Sequence, residues 1–251
     1  MITFILGSGI TALLPPLYER SWGIPLEKLQ TYTDLALKGR AIYIREGCWF
    51  CHSQQVRSLK ADQAYYGPPS QPGEYVYDAP HLLGTRRIGP DLARIGGKYS
   101  DDWHIAHLRN PQAVMPGSIM PKFTWLRDDE VKALVAYLQG LGTAVEREKV
   151  EIVAVAMPPS PESISRGREK YQAYCAGCHG EKGDGKGPAG LALSPKPRDF
   201  TDAPWMEAKD DEELLKVIAE GKPGTAMPPW KGTLSEKDMA DVLNYIRTFT
   251  K

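Results

Sequence analysis

Two stretches far apart in the chain repeat one apolar pattern. Val131, Leu134, Val135 and Leu138 recur at i, i+3, i+4 and i+7, and Met239, Val242, Leu243 and Ile246 do the same. That spacing places four apolar side chains on one stripe, so each stretch predicts an amphipathic helix with a single buried face. Tyr137 and Tyr245 each stand one position before the last stripe residue. Asp128 is placed to cap the first helix, and Ser235 with Asp238 reads as a capping box for the second.

Upstream of each closing helix lies a Gly-Arg-containing opening helix, in "LALKGRAIYIREGCWFCH" and then in "SISRGREKYQAYCAGCH". A Met-Pro pair and a Trp fall between opening and closing helix in both halves. The shared order predicts an internal duplication: a mainly α, loop-rich chain of two tandem domains preceded by a short apolar helix. The first half ends after Gly142, and Pro158, Pro159 and Pro161 keep the connector extended. The expected divisions are an N-terminal apolar segment over 1–30, a first domain over 31–144, a linker over 145–162 and a second domain over 163–251.

The N-terminal segment is apolar, with no Lys or Arg before Arg20. From Ile2 to Leu14 a helix would run about 20 Å, short of the ~30 Å hydrocarbon core of a bilayer. It lacks the basic leader and small-residue cleavage site of a secretory signal. The expectation is membrane association, as a shortened anchor, an uncleaved export signal or a segment lying on a membrane partner.

Composition changes the picture in two ways. Lys+Arg 31 balance Asp+Glu 31, so nothing in the bulk charge points to nucleic acid. Gly 24 and Pro 21 are high while Phe 5 is low, which leaves long loops and little aromatic filling for a core. A bulky prosthetic group would supply the missing core.

The cysteines say which group. All 4 lie in two CxxCH motifs, Cys48, Cys51, His52 and Cys175, Cys178, His179, in a chain with only 5 histidines. CxxC alone fits a redox dithiol, half a zinc site or a disulfide. A histidine directly after the second cysteine is the attachment signal of c-type haem. One helical turn brings both sulfurs to the porphyrin edge, and the histidine reaches the iron. Two covalently bound haems are therefore expected.

An electron-carrying haem needs a sixth ligand, and a thioether raises its potential. Met227 in "GTAMPPW" is the choice in the second half; Met206 reads as packing and Met239 belongs to the helix stripe. In the first half Met115 and Met120 both precede a proline. Met120 precedes Val131 by 11 residues and Met227 precedes Met239 by 12, so the matched spacing favours Met120. His104 and His107 offer a bis-histidine alternative. The second ring nitrogen of such a histidine is normally held by a carbonyl: Pro90 for His52, and Pro188, Pro195 or Pro197 for His179. Arg57 is placed to pair with a haem propionate.

The first half, through "CHSQ", "GPDLARIGG" and the "MP-F-WL" pattern, resembles the membrane-anchored mono-haem subunit of cbb(3)-type cytochrome c oxidases over roughly residues 30–140. The resemblance implies that Cys48, Cys51, His52 and Met120 serve the first haem, that 58–88 is a family insertion and that an N-terminal transmembrane helix precedes the domain. The second half, with "CAGCHGEKGDGKGPAG" and "GTAMPPW", is similar to a generic class I cytochrome c. The implied function is an electron relay to a haem-copper oxidase catalytic subunit, fed by a donor cytochrome or quinol-oxidising complex. The implied location is the outer, periplasmic face of the cytoplasmic membrane. No general acid or base constellation points to substrate chemistry. Alternatives are the cytochrome subunit of a nitric oxide reductase, a free periplasmic dihaem shuttle and a dihaem peroxidase. Lys182, Lys186, Lys196, Lys222 and Lys231 are placed to steer an acidic partner.

Overall fold

The computed structural model describes residues 23–146 and 156–250, together with residues 3, 6–11 and 14. The expected linker and the expected anchor therefore both fall partly outside the described residues. Among the described residues no helix is long and apolar enough to cross a membrane.

The helices, in chain order, are α1 (Asp34–Arg45), α2 (Lys60–Tyr66), α3 (Asp101–Arg109), α4 (Pro111–Val114), α5 (Asp128–Gly140), α6 (Pro161–Tyr174), α7 (Ala176–His179), α8 (Ala203–Glu207), α9 (Asp211–Glu220) and α10 (Glu236–Ile246). No strand occurs among the described residues; one isolated bridge joins Lys231 and Leu234. The architecture is two helical domains, each organised by one helix crossing.

That crossing is the same in both halves. Thr33 caps α1 by accepting from the Ala36 amide at 3.2 Å, and Ser160 caps α6 by accepting from the Ser163 amide at 3.1 Å. In mid-helix each carries a glycine at the point of closest approach. A Cβ on Gly39 would overlap the Ala133 carbonyl of α5, and one on Gly167 would overlap the Asp241 carbonyl of α10. One turn on, Tyr43 meets Tyr137 edge-on at 5.4 Å and Tyr171 meets Tyr245 edge-on at 5.3 Å. Both apolar stripes are buried within these crossings. Gly39→Ala and Gly167→Ala should each destabilise their own domain, by about 1–3 kcal/mol if the helices can shift. Denaturant unfolding of each variant, followed domain by domain, checks it.

The Gly-Arg pair diverges at its second residue. Arg40 is buried because residues 58–88 fold over it: its guanidinium donates to Asp78 at 2.9 Å, to the Ala79 carbonyl at 3.2 Å and to the Pro80 carbonyl. Arg168 has no such cover and is exposed. Residues 58–88 also hold Glu74, which pairs with Arg94, and Arg87, which donates to Asp62 at 2.8 Å and Asp91 at 3.3 Å. They are built into the first domain by buried charge.

The helix starts differ from expectation at one point. Asp128 is the first residue of α5 and pairs with Arg109, whereas Arg127 occupies the cap position. The Glu130 carboxylate accepts the Arg127 amide at 3.0 Å, so the reaching-back half of a capping box does the capping. Ser235 and Asp238 form the complete box on α10, with reciprocal bonds of 3.1 Å.

Candidate haem sites

Each CxxCH motif forms one tight turn at the end of an opening helix. In the first, Gly47 at φ +71° turns the chain out of α1 and starts a 3-10 turn over Cys48–Phe50. The Cys51 and His52 amides donate to the Cys48 carbonyl at 3.1 and 3.0 Å. In the second, the Cys178 and His179 amides donate to the Cys175 carbonyl at 3.1 and 2.9 Å. The same ring of bonds thus sets two thiols and an imidazole in one relative arrangement twice.

No disulfide joins any of the four cysteines. Burial pushes Cys48 and Cys175 up to about 12 and Cys178 up to about 11. A redox-active CxxC depends on a lowered thiol pKa, and burial moves these three thiols the other way. Among the described residues no group of three or more His, Cys, Asp or Glu is placed to hold a metal ion, which leaves the zinc alternative without a ligand set.

The two imidazoles are held through one nitrogen each. His52 Nδ1 meets the Pro90 carbonyl at 2.7 Å, which leaves Nε2 for the cleft. A Cβ on Gly89 would stand 2.8 Å from Nδ1 and Nε2 of that ring, so the glycine makes room for it. Burial lowers the His52 pKa and favours the neutral ring. His179 Nδ1 meets the Arg198 carbonyl at 3.0 Å, and its ring stacks on Phe200 at 4.5 Å. None of Pro188, Pro195 and Pro197 supplies this contact. The Pro197 carbonyl is turned toward Gly185, where an added Cβ would lie 2.6 Å from it, and the next carbonyl in the chain reaches His179.

Around His52 the "SQQVR" tail is stitched down. Asp91 accepts from Ser53 Oγ at 2.6 Å, from the Gln55 amide at 2.9 Å and from the Ala93 amide at 2.8 Å. Gln54 is buried, accepting from Tyr137 Oη at 3.1 Å through its side chain and from Tyr75 Oη at 2.6 Å through its carbonyl. The loop before Pro90 and the tail after His52 are thereby one unit.

A cleft of about 2700 Å³ opens beside this unit and extends between the two domains, lined by Cys48, Cys51, His52 and Met120 of the first and by Tyr174 and Trp230 of the second. Ordinary ligand clefts measure roughly 300–1,000 Å³, so it has room for a large flat group. Met120 packs against the first domain's core, and its carbonyl accepts from Gln112 Nε2 at 2.7 Å. Met115 packs instead against the second domain's core. Met227 is half-buried on that same core; its amide donates to Thr225 Oγ1 at 3.1 Å and its carbonyl accepts from Lys222 at 3.1 Å. Met206 and Met239 are fully buried core residues. Arg57 does not line the cleft; its guanidinium donates to the Thr85 carbonyl at 2.9 Å. Arg94 and Lys98 are the basic residues of the first domain that line it.

His104 and His107 also line the cleft. His104 Nε2 and His107 Nδ1 are buried without a hydrogen-bond partner, and burial takes both imidazoles down to about 4. A folded-state pKa below the ordinary value of about 6.5 means that acid protonates the unfolded chain first. Each histidine then contributes stability that is full above about pH 6.5 and is lost as pH falls toward about 4. In the haem-free chain, His107→Phe should flatten the fall in denaturation midpoint across this window.

Two domains, each with a CxxCH turn, a carbonyl-held histidine and a Met-Pro loop, define the class of c-type cytochromes. Residues 1–132 match the family described as cytochrome C oxidase, mono-heme subunit/FixO, and residues 162–246 match that of cytochrome C oxidase, cbb3-type, subunit III. The chain belongs to the FixO family of cytochrome c oxidase mono-haem subunits, with a second cytochrome domain following the first.

Individual relatives agree. The "Cbb3-type cytochrome c oxidase subunit FixPc" of Rhizobium leguminosarum bv. viciae is 25% identical over 132 residues, 52% of this chain and 39% of that protein. "Cytochrome c55X" of Paracoccus denitrificans is 36% identical over 93 residues, 37% of this chain and 81% of that protein. The "Cbb3-type cytochrome c oxidase subunit FixP" of Azorhizobium caulinodans is 29% identical over 99 residues, 39% of this chain and 31% of that protein. The match thus spans well under half the length of both of these oxidase subunits.

Proposed function

We propose that the chain is a dihaem electron relay of a cbb(3)-type oxidase, passing electrons from a donor cytochrome or quinol-oxidising complex to the haem-copper catalytic subunit. The observation that carries this reading is the doubled site: two CxxCH turns closed by the same pair of hydrogen bonds, each with its imidazole held through one nitrogen, on domains of an oxidase-subunit family. A covalently bound haem supplies a one-electron couple. Cys48 and Cys51 hold one group and Cys175 and Cys178 the other. Pro90 and Arg198 would hold His52 and His179 through Nδ1 in the tautomer that leaves Nε2 free for the iron, and Met120 and Met227 would supply thioether ligands. With a histidine and a methionine offered to each iron, the chain would transfer electrons and the partner subunit would perform the oxygen chemistry.

The first domain docks on the catalytic subunit, since residues 58–88 belong to that half, and the second faces the donor. Lys182, Lys186, Lys196 and Lys222 are exposed on the second domain and Lys231 is half-buried; together they steer an acidic donor. Both haem domains lie on the outer face of the cytoplasmic membrane, where haem is attached, with the N-terminal segment as anchor.

Purification of the full chain from membranes tests the assignment. The expected result is dependence on detergent and co-purification with a haem-copper subunit. A dihaem protein that is released without detergent and purifies alone would establish the free shuttle instead.

A further inference from the structure

The contact between the two domains has a construction of its own. Trp103, Ala113 and Val114 of the first domain form one buried apolar cluster with Ala189, Leu193 and Ala226 of the second. Met115 and Cys178 pack against it from either side. The second CxxCH turn therefore rests directly on α4 of the first domain.

Gly177 makes that approach possible. It has no left-handed backbone to explain it, yet a Cβ there would overlap the Ala113 carbonyl and stand 2.8 Å from that of Val114. The two residues between the cysteines are Ala176 and Gly177 in this motif, against Trp49 and Phe50 in the other. Phe50 is 60% exposed. Small residues stand where the other domain lies against the turn, and large ones where it does not.

On the other side of the joint, Tyr174 immediately precedes Cys175 and lines the first domain's cleft, beside Trp230 at 5.4 Å. Met115 lines the same cleft while packing on the core that also bears Met227. Gln112 of α4 donates to the carbonyls of Ser118 at 3.0 Å and Met120 at 2.7 Å. The segment on which the second motif sits is thus tied to the loop carrying the first domain's methionine.

We infer that α4 and Gly177 form a docking joint that fixes the two haem sites in one electron-transfer unit, with Tyr174 and Met115 filling the space between them. The inference rests on the dihaem reading. The step it serves moves one electron from the reduced site of one domain to the oxidised site of the other, with no bond made or broken. Gly177, Ala113 and Val114 act as positioning residues and touch neither iron. A linker alone would leave the domains mobile and the transfer dependent on chance encounters.

The test is flash photoreduction of the full dihaem chain, with small-angle scattering on the same samples. In the wild type a fast phase independent of protein concentration should equilibrate the electron between domains. Gly177→Val should abolish that phase and enlarge the radius of gyration. Val114→Asp, which lies outside both CxxCH motifs, should do the same with both potentials and both thioether–iron absorption bands unchanged, and serves if Gly177→Val impairs haem attachment. A fast phase that survives undocking in either variant overturns the inference, as does a wild type with two haems and no such phase. A wild type holding fewer than two haems would instead overturn the dihaem reading itself.

Discussion

Met120→His is expected to lower one of the two reduction potentials by on the order of a hundred millivolts, a modest part of the roughly 0.8 V over which axial ligands tune haem. A thioether favours the reduced iron relative to a second imidazole, so the sign is downward. Met227→His should act likewise on the other centre alone. The structure separates the two first-domain methionines by their surroundings: Met120 packs on the first domain's core and Met115 on the second's. Met115→Leu should therefore leave both potentials and both thioether bands in place. A redox titration in which Met115→Leu abolishes a band and Met120→His moves nothing would transfer the ligand role to Met115.

The second large effect is on stability. Asp78→Ala should cost the first domain about 3–5 kcal/mol, because it strands a buried guanidinium. Arg40 and Asp78 have side chains only 10% and 4% exposed. The two carbonyls that also hold Arg40 soften the loss without supplying a countercharge. Replacing Arg40 and Asp78 together by apolar residues should recover much of the cost, since the penalty comes from the unpaired charge. Equilibrium unfolding in denaturant, following the first domain, measures both. The second domain has no equivalent pair at Arg168 and should be unaffected.

What could be read from sequence divides along physical lines. The closing helices were visible because a four-residue apolar stripe has a helical period, and every stripe residue is buried. The duplication was visible through its order of motifs, and the family through "CHSQ" and the block after it. The structure gives those letters a cause, since Ser53, Gln54 and Asp91 weld the turn after His52 to the loop that bears Pro90. Carbonyl partners are harder, because every residue offers a carbonyl and nothing in its side chain marks the choice. Arg198 holds His179 through its main chain, and the three nearby prolines do not. Three consecutive acids, Asp128, Asp129 and Glu130, all suit a helix N-terminus, so the sequence does not separate the cap of α5 from the residue after it.

The domain joint was the least legible part. Gly177 reads in sequence as a filler between two cysteines, and only the neighbouring domain shows why a side chain is excluded there. The orphaned nitrogens of His104 and His107 likewise depend on burial by residues distant in the chain. Their sequence signal was limited to two histidines one turn apart in "WHIAHL".

The central claim is that both CxxCH turns carry covalent haem. A pyridine haemochrome assay combined with the mass of the denatured full-length chain tests it most directly. The account predicts two haems per chain, both retained after denaturation, and one fewer when Cys175 and Cys178 are replaced by serine. One haem or none on the wild-type chain, or haem released on denaturation, would contradict it.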